Sequence, residues 1–187
     1  MDTPRATTRN RWIDPADLHQ IWKAAPEKDR FLFTTLAYTG FRVEDIAASK
    51  RLDWDWINHT VTIRERKTGK VRTVKMDTLT QASAYCTEME GYWRKPFSEW
   101  FLPSRRPKNS GHISRATIWR AWKRAIRAAG LEGKGYTIHS LRKAYAVELF
   151  KRTGSLEAVQ RDLNHERIGT TLIYLQDYFS SLARPNG

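Results

Sequence analysis

Six polar side chains, spread over most of the chain, have the types that phosphoryl transfer requires. They are two arginines, a lysine, two histidines and a tyrosine: Arg42, Lys67, His139, Arg142, His165 and Tyr174. A phosphodiester under nucleophilic attack accumulates negative charge on its non-bridging oxygens. Planar, permanently charged guanidinium groups bind such oxygens with two hydrogen bonds each. Two arginines can therefore stabilise that transition state in place of a metal ion.

The spacing of these side chains adds to the argument from their types. His139 and Arg142 lie three residues apart at the predicted start of a helix, so both can project from the same side of it. A helix N-terminus also presents partial positive charge to an anion. The phenol of Tyr174, with an ordinary pKa of about 10, becomes a useful nucleophile at neutral pH only where nearby cations favour its ionised form. Alone, a His-x-x-Arg pattern is a weak signal.

Three segments resemble those of one known family, the tyrosine recombinases or phage integrases. Residues 39–46 (TGFRVEDI) resemble the box around the family's first catalytic arginine, with an acidic residue three positions later. Residues 137–143 (TIHSLRK) resemble its His-x-x-Arg box, in which Lys143 occupies a place that is His or Lys. His165, preceded by Leu and Asn, resembles the closing Leu-Gly-His segment, with Tyr174 nine residues later as the nucleophile.

The hairpin lysine of the family is matched by Lys67 in the segment RKTG, and the boxes follow in the family's order. The resemblance covers residues 12–178. Asn164 departs from the family, where glycine is usual, but asparagine tolerates the left-handed conformation that such a turn needs. The predicted domain is 12–179, with tails at 1–11 and 180–187.

The resemblance implies how the central side chains would act on DNA. Tyr174 would attack the scissile phosphate, leaving a 3′-phosphotyrosine and a free 5′-hydroxyl, while Arg42 and Arg142 would hold the non-bridging oxygens. Because the covalent link conserves the energy of the phosphodiester, rejoining would need no ATP. The implied activity is site-specific recombination or integration, with no cofactor and no metal ion.

The remaining side chains would transfer protons or orient others. The resemblance implies that Lys67 protonates the leaving 5′ oxygen, that His139 assists proton transfer and that His165 hydrogen-bonds the phosphate. Asp45, beside the first arginine, is expected to orient its guanidinium. Lys70 can replace Lys67 in this scheme, since both lie in the same turn.

Alternatives to this interpretation stay open on the residues alone. Tyr174 can be an ordinary amphipathic aromatic beside Tyr178 and Phe179. Glu44 and Asp45 can be taken for a carboxylate metal site, although an arginine neighbour favours the orienting role. Rival functions are a type IB topoisomerase, which uses the same chemistry, and a non-catalytic DNA-binding regulator of the same fold. The complete set of catalytic side chains favours an enzyme.

The elements that must position these side chains are mostly helical. Helices are predicted over residues 14–25, 29–38, 43–49, 80–92, 114–129, 140–152, 155–163 and 170–179, the last three each with a Ser or Thr as N-cap. A two-residue period between 53 and 76 predicts a β-hairpin with a basic tip. The predicted fold class is α+β, a mostly helical domain with a small antiparallel sheet, and the resemblance implies the DNA breaking-rejoining enzyme fold.

The charge of the chain is strongly positive and unevenly placed. The net charge is +13, and residues 101–187 hold 16 of the 33 basic side chains but only 6 of the 20 acidic ones. Such a field favours nucleic acid as the partner, and the resemblance implies double-stranded DNA. In the helix at 114–129, one arc is apolar and the other is basic. The basic arc predicts a DNA-binding face formed by Arg120, Lys123, Arg124 and Arg127. Lys143 is also predicted to bind DNA. The resemblance also implies a tetramer in the synaptic complex.

Composition limits the remaining possibilities. A single cysteine, Cys86, excludes an internal disulfide and cysteine-rich zinc sites. No run of about 20 apolar residues and no secretory signal is visible, so we expect a cytoplasmic, nucleoid-associated protein.

Overall fold

The computed structural model describes residues 11–55, 57–75, 98–104 and 111–183. The described part contains seven α-helices: α1 (Pro15–Ala24), α2 (Glu27–Thr39), α3 (Val43–Ala47), α4 (Arg115–Ala128), α5 (His139–Thr153), α6 (Leu156–Asp162) and α7 (Ile168–Leu182). It also contains three strands: β1 (Trp54–Asp55), β2 (Thr60–Arg64) and β3 (Val71–Lys75). The α+β prediction is confirmed. The helix predicted over residues 80–92 lies outside the described residues.

Local signals explain the ends of the first two helices. The Asp14 side chain accepts a hydrogen bond from the Ala16 amide at 2.8 Å, with Pro15 at the first helical position. The second helix ends at Gly40, whose φ of 60° is left-handed. A Cβ at this position would also clash with the ring of Tyr145. Glycine is therefore required here, and Arg42 follows just beyond the helix end, as predicted.

The strands form one antiparallel sheet in the order β1-β2-β3. In its register Val61 faces Val74 and Ile63 faces Arg72, and the predicted hairpin is confirmed. The structure adds the short strand β1, in which Trp54 pairs with Val61. Alternation along β2 buries Val61 and Ile63 and turns their neighbours to solvent.

The buried apolar side chains form two hydrophobic cores, and α5 contributes to both. The larger core is formed mainly by the first four helices and the sheet. In it, the rings of Phe33 and Trp122 pack edge to face, with their centroids 5.0 Å apart. The smaller core joins the second half of α5 to α6 and α7. A polar link crosses between them, since Asp162 at the end of α6 accepts hydrogen bonds from Arg72 on β3 at 2.9 Å and from the Tyr145 hydroxyl at 2.7 Å.

Two of the predicted N-caps are wrong. α5 begins at His139 and α7 at Ile168, and neither has a side-chain cap at its N-terminus. The Ser140 hydroxyl lies inside α5 and accepts from the Thr137 amide at 3.0 Å instead. The cap predicted for α6 is confirmed, since Ser155 accepts from the Ala158 amide at 3.1 Å.

The last helix is longer than predicted. α7 reaches Leu182, whereas the pattern placed its end near residue 179. Its continuation fits the sequence, because the next helix-breaking residue is Pro185. No helix within the described ranges is long and apolar enough to cross a bilayer.

Candidate active site

Arg142 sits where the two cores meet and is only 2% exposed. One amino group of its guanidinium donates to the carbonyl of Gly40, and the other donates to the carbonyl of Leu163 at 2.8 Å. Burial lowers the pKa of Arg142, yet an arginine remains protonated at neutral pH. The side chain therefore fixes a charged group between the end of α2 and the turn that carries His165.

The other arginine, Arg42, reaches the same region from the segment before α3. Its side chain is 17% exposed, and its Nη1 donates to Oε2 of Glu65 at 2.5 Å. Burial alone would raise the pKa of Glu65, but the hydrogen bond and charge of Arg42 outweigh it and hold this pKa below its usual range. The Glu65 carboxylate is therefore ionised at neutral pH.

Tyr174 projects from α7 toward both histidines. Its hydroxyl lies 2.6 Å from Nε2 of His139, and the two rings stand nearly perpendicular at 5.1 Å. The ring of His165 lies 4.7 Å away on another side. Burial, reinforced by the positive charges of Arg142 and Lys143, lowers the pKa of His139 to about 4. A neutral imidazole therefore contacts the phenol and can accept its proton.

His165 is held by the turn that precedes it. Asn164 adopts a left-handed conformation with φ of 53°, which agrees with the tolerance expected of asparagine where the family has glycine. Nδ1 of His165 lies 3.1 Å from the Thr171 hydroxyl on α7. Burial and the charges of Arg142 and Arg42 lower the pKa of His165 to about 4. Both site histidines are thus neutral near pH 7.

Lys67 lies exposed on the turn between β2 and β3. Two carboxylates accept hydrogen bonds from residues of this turn. Asp45 accepts a hydrogen bond from the Arg66 amide at 2.9 Å, and Glu65 accepts one from the Thr68 hydroxyl at 3.0 Å. The turn is therefore tied to the segment that carries the first arginine.

The orienting carboxylate of Arg42 differs from the predicted one. Glu65 makes that contact, whereas Asp45 binds the hairpin backbone and Glu44 pairs with Arg115 at 3.0 Å. Glu65 is not among the predicted site residues. A signal was present, however, because a residue two positions after Ile63 falls on the inward face of the strand.

The predicted DNA-binding residues divide into two groups. The apolar arc of α4 is buried and the four basic side chains of the other arc are exposed: Arg120, Lys123, Arg124 and Arg127. Two of these have acidic partners, since Arg124 lies 3.5 Å from Asp29 and Arg127 lies 2.9 Å from Glu132.

Lys143 does not belong to that surface. It is buried on α5, and its Nζ donates to Asp177 of α7 at 3.1 Å. The same carboxylate oxygen accepts from the Trp12 amide at 3.2 Å. The structure therefore gives Lys143 a contact between helices, and its predicted role on DNA has no surface position to support it.

The chain, a helical domain with a small sheet, is similar to known proteins in sequence and in fold. The profile of the phage integrase family matches residues 11–181, and the chain belongs to that family.

Individual relatives agree with this assignment. The chain is 31% identical over 150 residues to tyrosine recombinase XerA of Pyrococcus furiosus, an alignment that covers 79% of this chain and 49% of the relative. It is 29% identical over 192 residues to tyrosine recombinase XerC of Roseiflexus sp., covering 98% and 59%. The chain thus spans about half the length of these relatives.

Solved structures share the fold. The crystal structure of XerA recombinase matches with a TM-score of 0.75 at 22% identity, over 94% of this chain and 66% of that one. A lambda integrase (75–356) dimer bound to a COC′ core site matches with a TM-score of 0.71 at 23% identity, over 95% and 63%. The family predicted from the motifs is confirmed.

Proposed function

We propose that this chain is the catalytic domain of a site-specific DNA recombinase or integrase that cleaves and rejoins strands through a phosphotyrosine at Tyr174. The observation that carries the proposal is the contact of 2.6 Å between the Tyr174 hydroxyl and Nε2 of His139. A nucleophile within hydrogen-bond reach of a neutral base is the arrangement that covalent catalysis requires. The names of the relatives and the DNA in the lambda integrase complex support the same substrate.

In the proposed cleavage step, Oη of Tyr174 attacks the scissile phosphorus and its proton passes to Nε2 of His139. The bond from phosphorus to O5′ breaks, and O5′ takes a proton from Nζ of Lys67. Arg42 and Arg142 bind the non-bridging oxygens, where charge develops. The reverse reaction, with the 5′-hydroxyl of another strand as nucleophile, returns the proton to the phenol and releases the enzyme.

His165 has a different place in this scheme. Its Nδ1 is engaged with the Thr171 hydroxyl, which fixes the ring beside the phenol. We assign it a hydrogen bond to the phosphate through the other ring nitrogen. The hydrogen bond to Thr171 would keep that nitrogen oriented, because a hydrogen bond at one ring nitrogen of a histidine fixes the direction of the other.

The partner in this proposal is double-stranded DNA, and the exposed basic arc of α4 is its docking surface. Self-association on DNA, as a tetramer in the synaptic complex, belongs to the same proposal. Crosslinking with and without a duplex carrying the recognition site tests the assembly. A chain that stays monomeric on a DNA substrate that it recombines would rule the tetramer out.

The central test is a nicked suicide substrate that traps the covalent adduct. The Tyr174→Phe variant should form none, whereas Tyr178→Phe should keep it. Tyr178 is a matched control one turn along the same helix, where its ring packs on Trp12 at 5.6 Å and under the Lys151 ammonium at 5.4 Å. A phenylalanine keeps those ring contacts. An adduct that persists in Tyr174→Phe would falsify the assignment.

The rival functions give other outcomes in the same experiment. A type IB topoisomerase would form the adduct and relax supercoiled DNA without exchanging strands between two sites. A DNA-binding regulator would bind the duplex and form no adduct even as the wild type, in which both tyrosines are present. Strand exchange together with loss of the adduct in Tyr174→Phe is the result that supports a recombinase.

A further inference from the structure

Glu65 is a charged side chain in a position that packing alone would fill with an apolar one. Along β2 and just beyond it, Val61, Ile63 and Glu65 alternate inward, and Glu65 is 0% exposed. Removing a carboxylate from water is costly, and exchanging a buried ion pair for apolar side chains is often neutral or stabilising. The charge at Glu65 therefore points to a role other than packing.

The contacts of Glu65 join two parts of the site. Its Oε2 accepts from Nη1 of Arg42 at 2.5 Å and from the Thr68 hydroxyl at 3.0 Å. Its backbone closes the turn, because its amide donates to the Lys70 carbonyl at 2.8 Å and its carbonyl accepts from the Gly69 amide at 2.8 Å. One residue thus connects the arginine to the turn that carries Lys67.

The contact leaves Arg42 able to bind an anion. A guanidinium has five N–H donors, and the hydrogen bond to Glu65 uses one of its two amino groups. The electrostatic effect of Glu65 on a bound phosphate is unfavourable, since two negative charges would lie on either side of one arginine. A benefit to the reaction must therefore come from orientation.

Arg142 reaches the same end by another means. It is held by the carbonyls of Gly40 and Leu163, which orient the guanidinium without adding a negative charge. Within the described part of the chain no helix end supplies such carbonyls to Arg42, and the neighbouring hairpin supplies a carboxylate. Arg142 is almost wholly buried, whereas the side chain of Arg42 is 17% exposed.

We propose that Glu65 is a positioning residue for strand cleavage, whose carboxylate sets Arg42 and the tip of the β2–β3 hairpin in one fixed relation to the scissile phosphate. This inference rests on the proposed function. It adds that Arg42 and Lys67 act as one unit, so disturbing Glu65 impairs both charge stabilisation and protonation of the leaving oxygen. DNA affinity should depend little on it.

The test compares the rate of adduct formation in wild type and Glu65→Gln on three suicide substrates. The first has an ordinary phosphate. The second has a methylphosphonate, in which a methyl group replaces one charged non-bridging oxygen, so that less charge needs an arginine. The third has sulfur in place of O5′, which leaves as a thiolate of lower pKa and depends less on a proton donor.

We expect Glu65→Gln to slow the reaction by about 10- to 100-fold on the ordinary phosphate, the size that misplacement by about 1 Å causes. On the methylphosphonate the loss should shrink to roughly 3-fold or less, and on the sulfur substrate it should also be smaller. DNA affinity should stay unchanged. Glu148→Gln is the matched control, since this exposed residue of α5 pairs only with Lys151 among the described ion pairs.

Each outcome decides the matter. An equal loss on all three substrates would reduce Glu65 to a structural residue, and a wild-type rate in Glu65→Gln would overturn the inference while leaving the proposed function intact. A wild type that forms no adduct overturns the proposed function itself.

If Glu65→Gln fails to fold, Thr68→Val provides the test, because it keeps the ion pair and removes only the hydrogen bonds of the Thr68 hydroxyl, one to Glu65 and one from the Lys70 amide at 3.4 Å. This variant should lose activity on the ordinary phosphate and regain it on the sulfur substrate but not on the methylphosphonate. The reverse pattern, or a wild-type rate, would contradict the link to Lys67.

Discussion

The two sides of the candidate site are held in different ways. On the side of the larger core, α2 buries six of its 13 residues and ends at Gly40, beside the arginine segment. On the other side, α7 buries only Thr171 and Leu175 of its 15 residues, and it carries Tyr174. Apolar side chains such as Ile173, which is 60% exposed, face solvent there. The side that carries the two arginines rests on extensive packing, and the side that carries Tyr174 does not.

Polar contacts therefore carry much of the docking of α7. Tyr174 meets His139, Thr171 meets His165, and Asp177 meets both Lys143 and the Trp12 amide. Elements with few buried apolar contacts open at lower free energy than well-packed ones. The helix α7, which carries the proposed nucleophile, therefore depends in part on the two histidines that the proposed reaction also uses.

Acid should therefore destabilise the protein through the two site histidines, and this is the largest effect expected. In the unfolded chain an imidazole binds a proton below about pH 6.5, whereas His139 and His165 do so only below about pH 4 when folded. Between these values the unfolded state binds more protons, so the free energy of unfolding falls as the pH falls. Each histidine should contribute ~1–3 kcal/mol. Denaturant titrations from pH 7 to 4.5 measure the loss.

Variants isolate the histidine contribution from that of the carboxylates. His139→Gln and His165→Gln cannot take up the proton, so each should show a shallower fall in stability over this range than the wild type. The carboxylates titrate in all three proteins and cancel in the difference. A wild type with constant stability from pH 7 to 5 would show that the histidines titrate normally.

Breaking the ion pair between α5 and α7 should have a smaller effect. Lys143→Met keeps the length of the side chain and leaves Asp177, which is 31% exposed, with the Trp12 amide as a partner. Because solvent reaches the carboxylate, we expect a loss of about 1–2 kcal/mol, below that of a fully buried pair. Hydrogen exchange of α7 amides should become faster while that of α2 stays unchanged.

A double-mutant cycle with Asp177→Asn isolates the energy of the ion pair. The side-chain carbonyl oxygen of the asparagine can still accept a hydrogen bond from the Trp12 amide. The same variants test the DNA-binding role predicted for Lys143. If Lys143→Met leaves stability unchanged and lowers the salt dependence of DNA binding, the lysine contacts DNA and the interhelical contact is secondary.

Local chemistry accounts for what the sequence could predict. Gly40 ends α2 because a left-handed residue is needed there, and Asn164 takes the same conformation for the same reason. These features depend on a few neighbouring residues. The resemblance of four motifs to one family predicts the arginines, the histidines and the tyrosine as site residues, whereas spacing alone would leave them among other candidates.

Contacts between distant segments account for what was missed. Glu65 meets Arg42 from 23 residues away, and Lys143 meets Asp177 from 34 residues away. No local pattern specifies such partners, because they depend on how the hairpin and α7 pack against α3 and α5. The same limit applies to the start of α5, where Ser140 looked like a cap and turned out to lie inside the helix.

The smallest expected effect concerns the basic arc of α4, on the well-packed side of the site. Lys123 lies over the ring of Trp119 at 5.0 Å, which leaves its charge available, whereas Arg124 and Arg127 each face an acidic partner. An arginine already paired with a carboxylate releases fewer counterions on meeting a phosphate. The arc should therefore be uneven in its contribution to DNA affinity.

Two double variants test this on a duplex at several salt concentrations. Replacing Arg120 and Lys123 by glutamine should lower the slope of log affinity against log salt by about 2, since each phosphate contact contributes about 0.9. Replacing Arg124 and Arg127 should lower it by less than about 1. Stability should change by no more than about 0.5 kcal/mol in either case, because the opposite arc of the helix supplies the packing. Equal slopes for the two variants would mean that the acidic partners separate from their arginines when DNA binds. Loss of cooperative thermal unfolding in either variant would mean that the exposed arc supports the fold.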